Sequence, residues 1–152
     1  MNEIAIAENK NVTFNNVISR RLEGIDNESI DKSSKMFESY LKREELKPYG
    51  PLIVRETTKL SGKEISQDSE MLVQVKEAPK AVSDPYVFNE KIRLEGCLMA
   101  RFKGPLDKLP MAYSKLHVYA YEHDINLGPV NYTVLTAGED GIFTADIFNE
   151  VL

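Results

Sequence analysis

Few side chains in this 152-residue chain are of the kinds that do chemistry, and their spacing decides what each can do. The two histidines, His117 and His123, fall six residues apart in a segment of helical pattern. At about 100° per residue they stand roughly 240° apart around a helix, so one metal ion cannot reach both. Neither has a cysteine or carboxylate at the spacing of an HExxH-type site. Cys97, the only cysteine, follows Gly96 and precedes Leu98 and Met99 in a strand-like run. A nucleophilic thiolate needs a cation close by, and Arg101, four residues along a strand, is out of reach. Cys97 therefore reads as a small buried hydrophobe. No GxSxG elbow is present. Gly50-Pro51, Gly104-Pro105 and Gly128-Pro129 read as turns rather than phosphate cradles, because proline removes the backbone donor that a phosphate would need. No catalytic residue, metal site or cofactor is expected, and the chain is not expected to be an enzyme. Binding remains: seven tyrosines, six phenylalanines and five methionines could line a pocket for a flat or amphipathic molecule or fill an ordinary core.

Composition narrows the partners. The formal net charge is -5, and Arg20-Arg21 and Lys42-Arg43 are isolated basic pairs within mixed charge. A phosphate-backbone surface needs a concentrated basic face, so direct nucleic-acid binding is not expected. No apolar run reaches the length of a membrane span. The opening MNEIAIAENKN lacks the basic start and apolar run of a signal peptide. With one cysteine and no disulfide framework, the expected location is the cytoplasm. At 42% hydrophobic and 28% charged, the chain is expected to be globular.

The elements that must position these residues come twice in one order. Val12 to Leu22 reads as a strand, with a slip in alternation between Phe14 and Val17 that marks a bulge or boundary. Asp26 and Asn27 offer caps for a helix near 28–45, whose stripe is Ile30, Phe37, Tyr40 and Leu41, with Ser33 and Ser34 completing the face. After the break at Pro48-Tyr49-Gly50-Pro51, Leu52 to Leu60 and Met71 to Val75 read as a strand pair around a polar loop, SGKEISQDSE. In the second half, Phe88 to Phe102 is a long strand with Ile92, Leu94, Leu98, Ala100 and Phe102 on one parity. A helix near 107–123 follows, with Asp107 as cap and Pro110 in its first turn. Its inner stripe is Leu109, Ala112, Tyr113, Leu116, Tyr119 and Ala120, which makes Tyr113 and Leu116 core residues rather than ligand contacts. Val130 to Thr136 and Ile142 to Phe148 close the unit as two strands. The expected fold is α+β: two strand-helix-strand-strand modules with antiparallel sheet. Residues 1–11 are an N-terminal extension, 12–77 the first module, 78–85 a breaker-rich linker (APKAVSDP) and 86–152 the second module. Two modules of roughly 65–70 residues are each marginal alone, so they should pack together as one compact domain.

The segment from Arg101 to Leu135 carries a resemblance. An apolar strand ending in Gly104-Pro105, a helix of the form LPxAYxKL (Leu109, Pro110, Ala112, Tyr113, Lys115, Leu116) and a strand opened by Gly128-Pro129 are similar to the gyrase-inhibitor-like domain, also the effector-binding domain of MerR- and AraC-type bacterial regulators. The resemblance implies two modules in pseudo-twofold relation with a ligand cleft between them. It also implies that Tyr132 stands where relatives carry the pocket carboxylate that attracts lipophilic cations, with Val134 pointing the same way. Glu95 and Met99 share the less apolar parity of the long strand; Glu95 could supply the missing charge and Met99 could line the pocket. These four, Tyr132, Val134, Glu95 and Met99, are the candidate ligand-binding residues.

The leading expectation is a standalone effector-binding-type domain that takes a small hydrophobic, amphipathic or aromatic molecule. Only about 11 residues precede the first strand, so no DNA-binding part of its own is expected, and any readout would pass through a protein partner. Beside it stand a protein–protein adaptor or accessory protein, conceivably tied to a specialised secretion locus, that kept the scaffold and lost the ligand. An inhibitor of DNA gyrase and, last, a small-molecule hydrolase complete the alternatives. An open pocket lined by Tyr132, Met99 and Glu95 would favour the ligand, and a filled cleft with an exposed apolar patch elsewhere would favour the adaptor.

Overall fold

Alternating apolar residues and two amphipathic runs divide the chain into β1 (Glu3–Arg21), α1 (Asn27–Arg43), β2 (Leu52–Ser61), β3 (Glu64–Gln74), β4 (Tyr86–Pro105), a 3-10 turn (Leu106–Lys108), α2 (Pro110–Glu122), β5 (Leu127–Ala137) and β6 (Ile142–Val151). The structure, a computed structural model, describes residues 3–22 and 27–152, Asn27 by its backbone alone. The caps expected at Asp26 and Asn27 lie outside the described side chains. The fold is α+β, with the order strand-helix-strand-strand occurring twice, and β3 with β1 and β2, and β6 with β4 and β5, pair antiparallel.

The chain forms two compact units, one of residues 13–92 and one of residues 1–12 with 93–152. Their boundaries fall inside β1 and β4. Residues 3–11, expected as an extension, are the first half of β1, and residues 78–85 lie within the first unit rather than between the two. The reason is that the breakers in 78–85 end β3's neighbourhood without ending the unit: Val82 still packs against that unit's core, and the Tyr86 amide donates to the Ser83 carbonyl at 3.0 Å.

In the unit of residues 13–92, β3 pairs with both β1 and β2. α1 lays Phe37, Tyr40 and Leu41 onto Ile18, Met71 and Val75, and Tyr86 stacks on Tyr40 with ring centroids 3.8 Å apart. The expected slip before Val17 is a left-handed residue, Asn16 at φ 50. Its carbonyl accepts from the Val75 amide at 2.9 Å, and the Asn15 amide donates to Gln74 Oε1 at 3.0 Å. Asparagine tolerates this conformation, whereas β-branched residues do not. Asn16→Val is expected to cost about 1–2 kcal/mol and Asn16→Gly almost nothing, read as shifts in urea midpoint. Equal losses in both would mean that the asparagine side chain matters, not its backbone.

The polar segment expected as a loop is mostly strand. β2 and β3 form a hairpin paired as far as Ser61↔Glu64, with Gly62 at φ 64 in the turn. Both faces of its tip are wet, so it lacks the alternation that identifies a half-buried strand. Cross-strand ion pairs serve instead, including Lys59 Nζ to Asp68 Oδ2 at 2.5 Å.

In the other unit, β6 pairs with both β4 and β5. α2 buries Ala112, Leu116 and Ala120 against Leu98, Ala100, Phe102, Ala145 and Ile147, with Leu109, Tyr113 and Tyr119 partly buried beside them. Asp107 does not cap α2. It sits in the 3-10 turn, and Leu109 occupies the cap position without a side-chain bond, because Pro110 is already at the first helical residue. Ile4 and Ile6 of β1 pack against the same core, and Lys115 Nζ donates to the Ile4 carbonyl at 3.1 Å.

Candidate functional site

Strand register sets which side chains share a face, because directly paired residues project to the same side of a sheet. One face of the β4-β6-β5 sheet belongs to α2. Its rows are Ala100–Ile147–Thr133 and Phe102–Ala145–Leu135, and the Tyr113 hydroxyl hydrogen-bonds Thr133 Oγ1 there. The opposite face carries the row Met99–Phe148–Tyr132 and, two residues along, the row Arg101–Asp146–Val134.

Three of the four expected residues therefore lie together. Tyr132 and Met99 flank Phe148, and Val134 stands in the next row. Tyr132 and Phe148 are buried, at 6% and 8% exposure, while Met99 and Val134 are half-buried. Glu95 does not join them. Its side chain is 71% exposed and accepts from Arg93 Nε at 3.2 Å. The physical reason is Gly96, whose φ of 65 interrupts the pleat, so parity does not carry from Glu95 across to Met99. The Gly96 amide is held by Asn11 Oδ1 at 2.9 Å.

Two contributors to this face were not expected. Phe148 is the centre of the aromatic row. Asp146 is a carboxylate beside Val134, and Arg101 grips it with two parallel bonds, Nε to Oδ1 at 2.8 Å and Nη2 to Oδ2 at 3.0 Å. That bond and the carboxylate's charge push the Arg101 guanidinium further up from its already high pKa. The alternation in IFTADIFNE places Asp146 and Phe148 on one parity, but only the register against β5 joins them to Tyr132.

The β1-β3-β2 sheet repeats the arrangement on its own face away from α1. Ser19–Leu72–Ile53 forms a fully buried row, and the row Arg21–Glu70–Arg55 follows. Arg55 grips Glu70 through Nε at 3.0 Å and Nη2 at 2.7 Å. Each sheet thus sets an apolar row beside a row with a forked arginine–carboxylate pair. What distinguishes the second is the aromatic and thioether content of its apolar row.

The other reactive groups sit elsewhere. Cys97 is 1% exposed, and burial, then the charge of Glu150, pushes its thiol up, away from a nucleophilic thiolate. His123 stacks on Tyr119 at 3.9 Å, with Nδ1 2.9 Å from the Tyr119 carbonyl oxygen; His117 is exposed on α2. Among the described residues, no group of three His, Cys, Asp or Glu is placed to hold a metal ion, and no helix is long and apolar enough to cross a membrane.

The α+β fold is one that solved structures share. In particular, the chain is similar to the EcmrR C-terminal domain, with a TM-score of 0.69, 19% identity, and 100% of this chain and 98% of that one covered. It is also similar to EcmrR in its DNA complex (TM-score 0.71, 19% identity, 99% of this chain covered); the chain spans 57% of that protein's length. SAV2435 bound to tetraphenylphosphonium matches with a TM-score of 0.52 at 11% identity, over 99% of this chain and 94% of that one. At such identities the likeness establishes the fold. No family model matches the sequence, and no curated protein matches it.

Proposed function

We propose that this chain is a ligand-binding domain of the effector-binding type, and that it takes a flat aromatic or amphipathic molecule against Met99, Phe148, Tyr132 and Val134 without transforming it. The observation that carries this reading is the aromatic row on the face of β4-β6-β5 that α2 leaves unused. A ring face, a phenolic tip and a pliant thioether suit a planar apolar ligand. The likeness to a domain bound to tetraphenylphosphonium supports the choice of ligand class. The electrostatics argue against a preference for cations. Asp146, the carboxylate beside Val134, is balanced by Arg101, so a cation there gains chiefly ring contact, about 0.5–2 kcal/mol.

The test is calorimetric titration of a matched pair of aromatics, one neutral and one quaternary cation. Wild type is expected to bind the neutral compound at least as well as the cation. Arg101→Ala removes the balancing charge, and the cation's affinity is expected to rise about tenfold, equivalent to ~1.4 kcal/mol. Preferential binding of the cation by wild type would sink the charge argument. Binding of neither compound would favour the second reading, a protein–protein adaptor, which the burial of Tyr132 and Phe148 supports.

A further inference from the structure

The two helices differ on their outer sides. α1 shows water a largely charged surface, including the Asp31–Lys35 ion pair at 3.2 Å and exposed Glu38 and Lys42. α2 sets an apolar stripe among the polar residues of its outer side. Beyond its buried Ala112, Leu116 and Ala120 it exposes Met111, Val118 and Tyr121, the last at 85%. An apolar stripe in water is the mark of a surface that is covered in the working state. With Ser114 between them, Met111, Val118 and Tyr121 are spaced by three, four and three residues, the a/d spacing of a two-helix seam.

We propose that this stripe is a self-association surface, on which α2 of a second copy lies antiparallel about a twofold axis. The pairing follows from the residues. Antiparallel a-to-d matching sets Met111 against Tyr121 of the copy and Ser114 against its Val118, twice each by symmetry. The small Ser114 lets the helices approach at the centre. The flanking charges agree with that register: Lys108, in the 3-10 turn that leads into α2, faces Glu122 of the copy on each side. A parallel pair would instead set Glu122 beside His117 of the copy and leave Lys108 without that carboxylate. The antiparallel register brings Lys115 near its counterpart, but Lys115 Nζ is drawn away by its bond to the Ile4 carbonyl of its own chain. A seam of one helix per copy is small beside the ~1,200–2,000 Å² of a standard stable interface. The dimer is therefore weak, with a dissociation constant on the order of 10–100 μM, the low end for specific association.

Sedimentation of the full chain over about 1–500 μM, a range bracketing that constant, is expected to show the mass rising from one chain towards two. Val118→Lys, on an exposed position that leaves the circular dichroism unchanged, is expected to hold it at one. Lys108→Glu and Glu122→Lys are each expected to weaken association about tenfold, since each reversal acts at two symmetric contacts. The double variant is expected to restore it, a result that damage to the fold would not produce. Mixing Met111→Cys chains with Tyr121→Cys chains is expected to yield more disulfide-linked dimer than either alone. A chain that stays single throughout, or a dimer indifferent to Val118→Lys and to the charge swap, overturns the proposal; the first outcome leaves the stripe to a different protein.

Discussion

Replacing Leu116 by alanine is expected to lower stability by about 2–5 kcal/mol, towards the upper half of that range. Leu116 is 1% exposed and is the one large side chain in the fully buried row of α2. Its neighbours in that row are Ala112 and Ala120, and the sheet beneath it includes Ala100 and Ala145. A methyl group cannot swing into a void, so the alanines leave much of the cavity to Leu98, Phe102 and Ile147 to close, and the loss includes a large part of its cost. For a chain of this size the midpoint of thermal unfolding should fall by roughly 4–20 °C, at about 2–4 °C per kcal/mol. Val118→Ala, on the exposed side of the same helix, is the control for helix propensity and should change little. A Leu116→Ala midpoint within a degree or two of wild type would show that the wrong side of α2 has been assigned to the core.

Tyr132→Glu is expected to change both stability and ligand preference. The new carboxyl would sit in the row with Phe148 and Met99, largely out of water. Burial disfavours the charged form, so its folded-state pKa should lie above the ordinary glutamate value of ~4.3. The sign follows from linkage. Below the unfolded pKa both states are protonated and the ionisation penalty is absent; as pH rises through the folded pKa the penalty grows to its full size. Denaturant melts should therefore show the variant closest to wild type near pH 4 and furthest from it at pH 7 and above, by about 1–3 kcal/mol, the cost of an unsatisfied buried polar group. A bound aromatic cation would offset that penalty. Such a cation should bind the variant about ten- to a hundredfold more tightly than wild type, while a neutral isostere should lose affinity. Glu95→Gln should alter neither, since Glu95 is exposed and paired with Arg93. Tight cation binding by wild type that Tyr132→Glu leaves unchanged, but Glu95→Gln abolishes, would place the recognising charge at Glu95 and end the case for Tyr132.

Local signals made much of this legible. Both helices follow from apolar stripes at helical spacing, and Asn16 and Gly50 mark places where the backbone does change course, whereas Gly104-Pro105 and Gly128-Pro129, expected as turns, lie within β4 and β5. Tyr132, Val134 and Met99 came together because strand alternation holds over short stretches. It failed for Glu95 because one left-handed glycine resets the alternation, and a glycine's φ is not written in its neighbours. The hairpin tip at 61–64 was hidden because a strand wet on both faces has no pattern to read. Phe148 and the Arg101–Asp146 pair were hidden for a different reason: each is ordinary by itself and gains meaning from pairings 45 residues apart in sequence or, for Phe148 with Tyr132, from a register fixed only in three dimensions.

The division of the chain through β1 and β4 also sets an order for its assembly during synthesis. Residues 13–92 are contiguous, so everything that unit needs has left the ribosome long before the chain is finished. The other unit is built from both ends of the sequence: Ile4 and Ile6 must wait for α2, and β4 and β5 for β6, the last strand to emerge. Vectorial synthesis thus supplies all of residues 13–92 before the unit that flanks them is complete, and the aromatic row of β4, β5 and β6 forms only once β6 has emerged.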